Sequence, residues 1–378
     1  MSISLSDDQL RFLRLRAQRL TPQQPGEVIG VARVVKEVCG IQAQDASAAT
    51  LAVRSRSDGL FVSDVEQARV HDRTIIRTWG PRGTLHLLAS DDIGWLLSLF
   101  GPVFVSGDRR RREELGLDEE VCARGIHIIR NVLANQGPLT RAELFEQLAD
   151  QGIHLEGQAR PHLLGRAALE GLICLGPDLG TDPTYVLLND WVDQEHTGHS
   201  LSEDEAYAEL TRRYLSAYGP ATPGDQAVWS GLSLSKTRAA WQGIEDELLE
   251  VETANSSVWM LKTQSTRLDE LPTLTPIVRL LPRFDIYLLG YQKRDLAVSS
   301  QYAKRINAGG GIVHPTVLVD GRTFGTWKSK REKNHLIVMV EPFEQLAPEI
   351  YKGLEAEAED IARFLGVKVR LEVSAVQK

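Results

Sequence analysis

VCARGIHIIRNVLANQGPLTRAELFEQLAD, residues 121–150, carries two apolar stripes at helical spacing, separated by a Gly-Pro-x-Thr turn. Gly137 closes the first helix, Pro138 blocks its continuation, and Thr140 offers a side-chain oxygen to the first free amides of the second. ARPHLLGRAALEGL follows as a third helix, and LICLGPDLGTDPTYVLL reads as strand, turn and strand, with Gly, Pro and Asp at the turn. Helix, helix, helix, hairpin is the order of a winged helix-turn-helix.

The same order recurs one module downstream. EDEAYAELTRRYLSAYGPAT, PGDQAVWSGL and LSKTRAAWQGIEDE read as helices, and LLEVETANSSVWML as a hairpin. QGPLT at 136–140 and YGPAT at 218–222 share the Gly-Pro-x-Thr turn. A third version stands at the N-terminus: VIGVARVVKEVCG as a helix closed by Gly40, SDVEQARV as a short helix capped by Ser63, and TIIRTWGPRGTLHLLA as two strands around a tight turn. After residue 272 strands and turns dominate, with Asp320-Gly321 as a hairpin signal. A last helix, PEIYKGLEAEAEDIARFLG, precedes a last strand, VKVRLEV. The expected fold is α+β: winged-helix motifs at 1–118, 119–200 and 201–271, then a β-rich C-terminal region at 272–378.

Composition narrows the function. With 378 residues, 42% hydrophobic and 25% charged, the chain has the make-up of a soluble protein with a sizeable core. Cys39, Cys122 and Cys174 are odd in number and far apart, so neither a disulfide framework nor a zinc site is expected, and the thiols suit a cytoplasmic protein. The first residues carry Asp7 and Asp8 before an Arg-rich amphipathic segment, unlike the apolar core of a signal peptide, and no stretch is long enough to cross a membrane. P-loop, HExxH and G-x-S-x-G motifs are missing, so no metal or cofactor is expected. Three modules forming one clamp need no partner subunit, and a monomer is expected.

The net charge of −8 opposes a nucleic-acid partner only as an average. Residues 1–112 hold 16 Lys and Arg against 12 Asp and Glu; residues 113–260 hold 9 against 25; residues 261–378 hold 18 against 14. Within the last region, residues 277–335 hold 11 basic and 4 acidic side chains. Phosphate binding depends on local potential, so a basic surface on an acidic scaffold suits DNA. Trp327-Lys328-Ser329-Lys330-Arg331 sets an aromatic beside cations at a strand end, which fits either groove insertion or a solvated strand with Trp327 in the core. Arg77, Trp79 and Arg82 in the N-terminal wing, and Arg322 after the Asp-Gly turn, are further candidates for DNA contact. DRRRREE at 108–114 is open to two readings, a self-paired exposed turn or a phosphate contact.

GIQAQD at 40–45 raises the catalytic question. Residues two apart in extended chain share a face, so Gln42 and Gln44 either direct two amide oxygens at one water or simply meet solvent. Asp45 is placed to cap the helix starting at Ala46, with a general-base role as the alternative.

GIQAQD, RTWGPRGTLHLL, YGPAT with DQAVWSGL, LLPRFDIYLLGYQKR and VLVDGRTFGTWK, in this order, resemble the AlkZ-like azinomycin-resistance DNA glycosylases from about residue 8 to the end. The resemblance implies a C-shaped scaffold of three winged-helix motifs, and excision of cationic N7-alkylated purines and unhooking of interstrand crosslinks without metal. The family's Gln-x-Gln motif matches Gln42-Ala43-Gln44, whereas a related branch resembling YcaQ has Asp in place of the second Gln. It also implies a β-hairpin used against DNA, for which residues 317–327 are the match.

Neutral amides suit that chemistry. An N7-alkylated guanine leaves as a good leaving group and the sugar turns cationic, so water positioning and oxygen dipoles outweigh a strong base. A GIQAQD segment without lysine suggests no Schiff-base step, hence a monofunctional glycosylase acting on alkylated or crosslinked double-stranded DNA. The rival reading is a winged-helix transcription factor or architectural DNA binder with both glutamines on the surface.

Overall fold

The computed structural model describes residues 3–23, 29–192, 201–254, 256–269, 275–309, 311–333 and 335–376. The expected boundaries at residue 200 and at 271–272 fall outside the described residues. Packing groups the chain differently from four consecutive segments: residues up to Val65 join Ala208 onward in one unit, and Glu66–Tyr207 form the other.

In the unit Glu66–Tyr207, strands Ile75–Trp79 and Leu85–Ala89 pair antiparallel, from Ile75 opposite Ala89 to Trp79 opposite Leu85. The connecting turn contains Arg82 at φ 56° and Gly83 at φ 63°. Ile75–Trp79 continues through Arg77 opposite Leu175 to strand Ile173–Leu179, which forms a hairpin with Asp182–Leu187. The short strand Leu139–Thr140 borders that hairpin.

Helices Glu119–Gln136, Arg141–Asp150 and Ala159–Leu169 bury one apolar face each, through Ile129, Leu133, Leu144, Leu148, Leu163 and Leu164. Thr140 starts the second of these helices by reciprocal capping: its hydroxyl accepts from the Glu143 amide at 3.3 Å, and the Glu143 carboxylate accepts from the Thr140 amide at 2.7 Å. Thr222 and Asp225 repeat this arrangement at the start of Pro223–Ser230. Helix Ile93–Gly107 crosses Ala159–Leu169 at Gly101, where a Cβ would meet the Leu169 carbonyl oxygen.

One open reading is decided in this unit, and one expectation changes at its edge. Residues 109–114 form a helix, with Arg109 and Arg110 paired to Glu113 and Glu114 one turn on, so DRRRREE is self-paired. Ser63 is not a cap: the helix begins at Val62, and the Asp64 carboxylate accepts the Phe61 amide at 2.7 Å.

In the other unit a five-stranded sheet has the order Val278–Leu281, Thr316–Val319, Arg322–Glu332, His335–Pro342 and Lys368–Val373, the last pair parallel. Helix Pro348–Leu365 covers one face, with Leu354, Ala358 and Ile361 against Leu280, Val317 and Val338. Gly353 permits the close approach, since a Cβ there would stand 2.5 Å from Val278. Helix Asp7–Ala17 sends Phe12 and Leu15 into a second core with Ile277, Leu288 and Leu318, and Leu10 and Leu13 into a third under a sheet of Ile3–Leu5, Leu248–Thr253 and Ser257–Leu261. These cores are why the N-terminal residues belong with the C-terminal half.

Candidate active site

Helix Val31–Glu37 ends in a turn through Cys39 and Gly40, both at positive φ, which delivers the chain into the extended pair Ile41–Gln42. Ile41 and Ala43 are buried and anchor the segment, Gln42 is 8% exposed, and Gln44 is exposed. The Gln42 side-chain amide donates to the Gln44 carbonyl oxygen at 2.7 Å. The two side chains thus share a face, as alternation requires. The geometry also differs from two independent carbonyls, because Gln42 spends an N–H on orienting Gln44.

Asp45 stops the extended run and caps Ala46–Arg54. Its Oδ1 accepts from the Ala48 amide at 3.0 Å and the Ser47 hydroxyl at 2.7 Å, and its Oδ2 faces Arg283 Nη1 at 3.7 Å. Burial pushes the carboxyl up, but these hydrogen bonds and the Arg283 cation outweigh it, and the net effect holds Asp45 below the usual carboxylate range. A group so engaged is a poor general base.

The far end of the helix is fixed as firmly. Arg54 donates to Glu357 at 3.0 Å, to Asp360 at 3.1 Å and to the Leu280 carbonyl at 3.1 Å. Arg56 and Asp285, both 0% exposed, form two bonds of 2.9 and 2.8 Å. Asp285 belongs to the turn Pro282–Arg283–Phe284–Asp285, where Phe284 takes φ 58° and its amide donates to the Val313 carbonyl at 3.2 Å. One turn therefore holds the helix after the glutamines, Asp45 beside them, and the small hairpin Asn307–Gly309 with Ile312–Val313.

The match of the family model described as DNA glycosylase AlkZ-like covers residues 35–364, and so takes in the glutamine segment, that turn and the hairpin. This chain belongs to the AlkZ-like DNA glycosylase family. It is 32% identical over 389 residues to the interstrand DNA cross-link repair glycosylase of Streptomyces sahachiroi, covering 96% of this chain and 97% of that one. The solved structure of Streptomyces sahachiroi DNA glycosylase AlkZ superposes with a TM-score of 0.82 at 27% identity, over 98% of this chain and 100% of that one.

The other candidate residues of this AlkZ-like chain are spread over both units. Arg77 is buried on its strand, Trp79 packs where a Cβ on Gly165 would stand 3.1 Å from its Nε1, and half-buried Arg82 occupies the turn between Ile75–Trp79 and Leu85–Ala89. Burial and the Arg82 cation push His86, on the paired strand, down to about 3. Arg322, Lys328, Lys330 and Arg331 are exposed on Arg322–Glu332, with Lys328 paired to Glu341 and Lys330 to Glu332.

Trp327 is a correction. Strand alternation turns it inward, it is 5% exposed, and its indole N–H donates to the Leu281 carbonyl at 2.7 Å. It is a core residue and not an inserting aromatic. The hairpin expected at 317–327 is likewise built into the sheet. Its turn is packed, with Asp320 accepting the Ile277 amide at 2.8 Å and Tyr287 donating to the Gly321 carbonyl at 3.0 Å. A hairpin in the same unit with an exposed tip is Asn307–Gly309 with Ile312–Val313, where Ile312 is 37% exposed beside exposed Lys304, Arg305 and His314. Its signal was the INAGGGIVHP run, three glycines between two short segments. Arg283 left no such signal, because its relation to Asp45 exists only in three dimensions.

Proposed function

We propose that this protein is a monofunctional DNA glycosylase that hydrolyses the N-glycosidic bond of N7-alkylated purines and unhooks interstrand crosslinks in double-stranded DNA. The observation that carries the reading is the Gln42–Gln44 hydrogen bond at the start of a doubly anchored helix. A carbonyl oxygen has two acceptor sites, so Gln44 Oε1 accepts from Gln42 and retains a site for the proton of the attacking water. The pair acts as one device: Gln42 orients, Gln44 holds the nucleophile, and both dipoles favour the cationic sugar.

The leaving base is already a cation and departs neutral after the C1′–N9 bond breaks. Strong general-base assistance is therefore unnecessary, in keeping with Asp45 serving as cap and fixed negative charge. DNA would be held by cations at Arg82, Arg322, Lys328, Lys330 and Arg331 and by the exposed hairpin around Ile312, with three winged-helix motifs as scaffold. The recurring capped turns at Thr140 and Thr222 support that modular reading.

The test is release of N7-methylguanine from duplex DNA. Wild-type protein should free the base without nicking the strand, and Gln44→Ala should bind the same duplex but turn over far more slowly. Binding without base release on any N7-alkylated duplex would return the protein to the class of non-catalytic DNA binders.

A further inference from the structure

Arg283 sits beside the glutamine pair, although nothing in the glycosylase reading gives it work. Its Nη1 is 3.7 Å from Asp45 Oδ2, and Asp45 follows Gln44 in the chain. That contact is longer than a hydrogen bond, and it is the guanidinium's one ion pair among the described residues. The side chain is 42% exposed. A guanidinium carries five N–H donors in a planar fork, and that ion pair is the one polar contact this one makes among the described residues.

The mounting is rigid. Phe284 carries the guanidinium 4.8 Å above its ring and is tied by its amide to Val313, while Asp285 is locked to Arg56 and accepts the Tyr287 amide at 2.9 Å. A long cationic side chain rising from a pinned turn, with its fork presented next to a catalytic segment, matches the geometry of a phosphate clamp.

Resting on the glycosylase reading, we propose that Arg283 binds the phosphodiester flanking the nucleotide whose base is released, sharing its guanidinium between that phosphate and Asp45. Charge explains the sharing. A lone cation here would oppose a sugar that becomes cationic and a base that already is one. Flanked by a phosphate and the Asp45 carboxylate, the guanidinium is outnumbered two to one, and the net negative charge favours bond breaking. Without DNA, Asp45 keeps the fork turned toward the segment it serves.

The experiment measures affinity for a duplex bearing one N7-methylguanine across a salt series, together with base release. Each phosphate contact contributes about 0.9 to the slope of log K against log salt. Arg283→Gln should lower the slope by about that amount and raise KM about tenfold, with the larger share of the loss in KM rather than kcat. Arg283→Lys should retain the wild-type slope, since the point charge remains, while KM still rises because the fork is gone. Arg283→Met, which keeps the stem over Phe284, serves as the neutral variant if thermal melting shows the Gln form to be unfolded. An unchanged slope in the folded neutral variant overturns the proposal, even if base release falls. Absence of base release by the wild type would instead count against the glycosylase reading, and the slope would still judge the phosphate contact.

Discussion

Arg56 and Asp285 meet at zero solvent exposure through two hydrogen bonds of 2.9 and 2.8 Å, joining the end of the helix that follows the glutamine pair to the turn that carries Arg283. Gln18 adds its side-chain oxygen to Arg56 at 3.1 Å. Removing either charge strands the other in a dry interior. Arg56→Met or Asp285→Leu should cost about 3–5 kcal/mol, whereas the two replacements together should cost less than the two added. Urea unfolding of the four proteins measures this, and strict additivity would show that the two residues act independently.

If Gln42 acts by orienting Gln44, their losses do not multiply. Gln42→Ala and Gln44→Ala should each slow single-turnover base release by about 10²–10³, and the double variant should be little slower than either alone. Rate against pH should be flat through neutrality, because neither amide titrates and Asp45 is held ionised by its hydrogen bonds and Arg283. An ascending limb near neutral pH that disappears in Asp45→Asn would identify Asp45 as a base.

His86 makes the unit Glu66–Tyr207 sensitive to acid. Its folded pKa, pushed by burial and by Arg82 to about 3, lies below the unfolded value near 6.5, so the unfolded chain takes up the proton first. Stability is therefore complete above about pH 6.5 and falls as the pH drops toward 3. The Nε2 atom meets no acceptor among the described residues, which leaves the protonated ring without compensation. Between pH 7 and 5 the loss from this group should be about 2 kcal/mol, and His86→Gln should remove it. Calorimetry at the two pH values decides; equal acid sensitivity in both proteins would exclude the mechanism.

Trp327→Phe should leave DNA affinity unchanged and lower stability by about 1–2 kcal/mol, because the Leu281 carbonyl loses its buried donor. Parallel titration and unfolding measurements separate the two. A drop in affinity at unchanged stability would restore the inserting-aromatic reading.

Gly101→Ala tests the helix crossing in the unit Glu66–Tyr207. The added methyl meets the Leu169 carbonyl, a backbone atom that cannot rotate aside, and a loss of about 1–3 kcal/mol is expected despite alanine's better helix propensity. A higher melting temperature would mean that the crossing opens without penalty.

Local physics explains what was legible in the sequence. The caps at Thr140, Thr222 and Asp45 depend on a side-chain oxygen reaching amides two or three residues away, so the chain specifies them without tertiary help. The shared face of Gln42 and Gln44 follows from backbone alternation alone. Helix and strand periods likewise announced the final helix Pro348–Leu365 and the strand Lys368–Val373.

Tertiary structure decided the rest, because the interactions concerned join residues remote in the chain. Arg54 meets Glu357 across 303 positions, and no local pattern encodes that choice of partner. Trp327 showed the limit most plainly: its neighbours Lys328, Lys330 and Arg331 marked a cationic strand end, but which face of the strand is covered depends on where Pro348–Leu365 packs. The sequence thus determined where the amide pair lies and how its helix begins. Long-range packing determined which charges surround it, since burial and ion pairing are properties of the assembled core and not of the chain's local period.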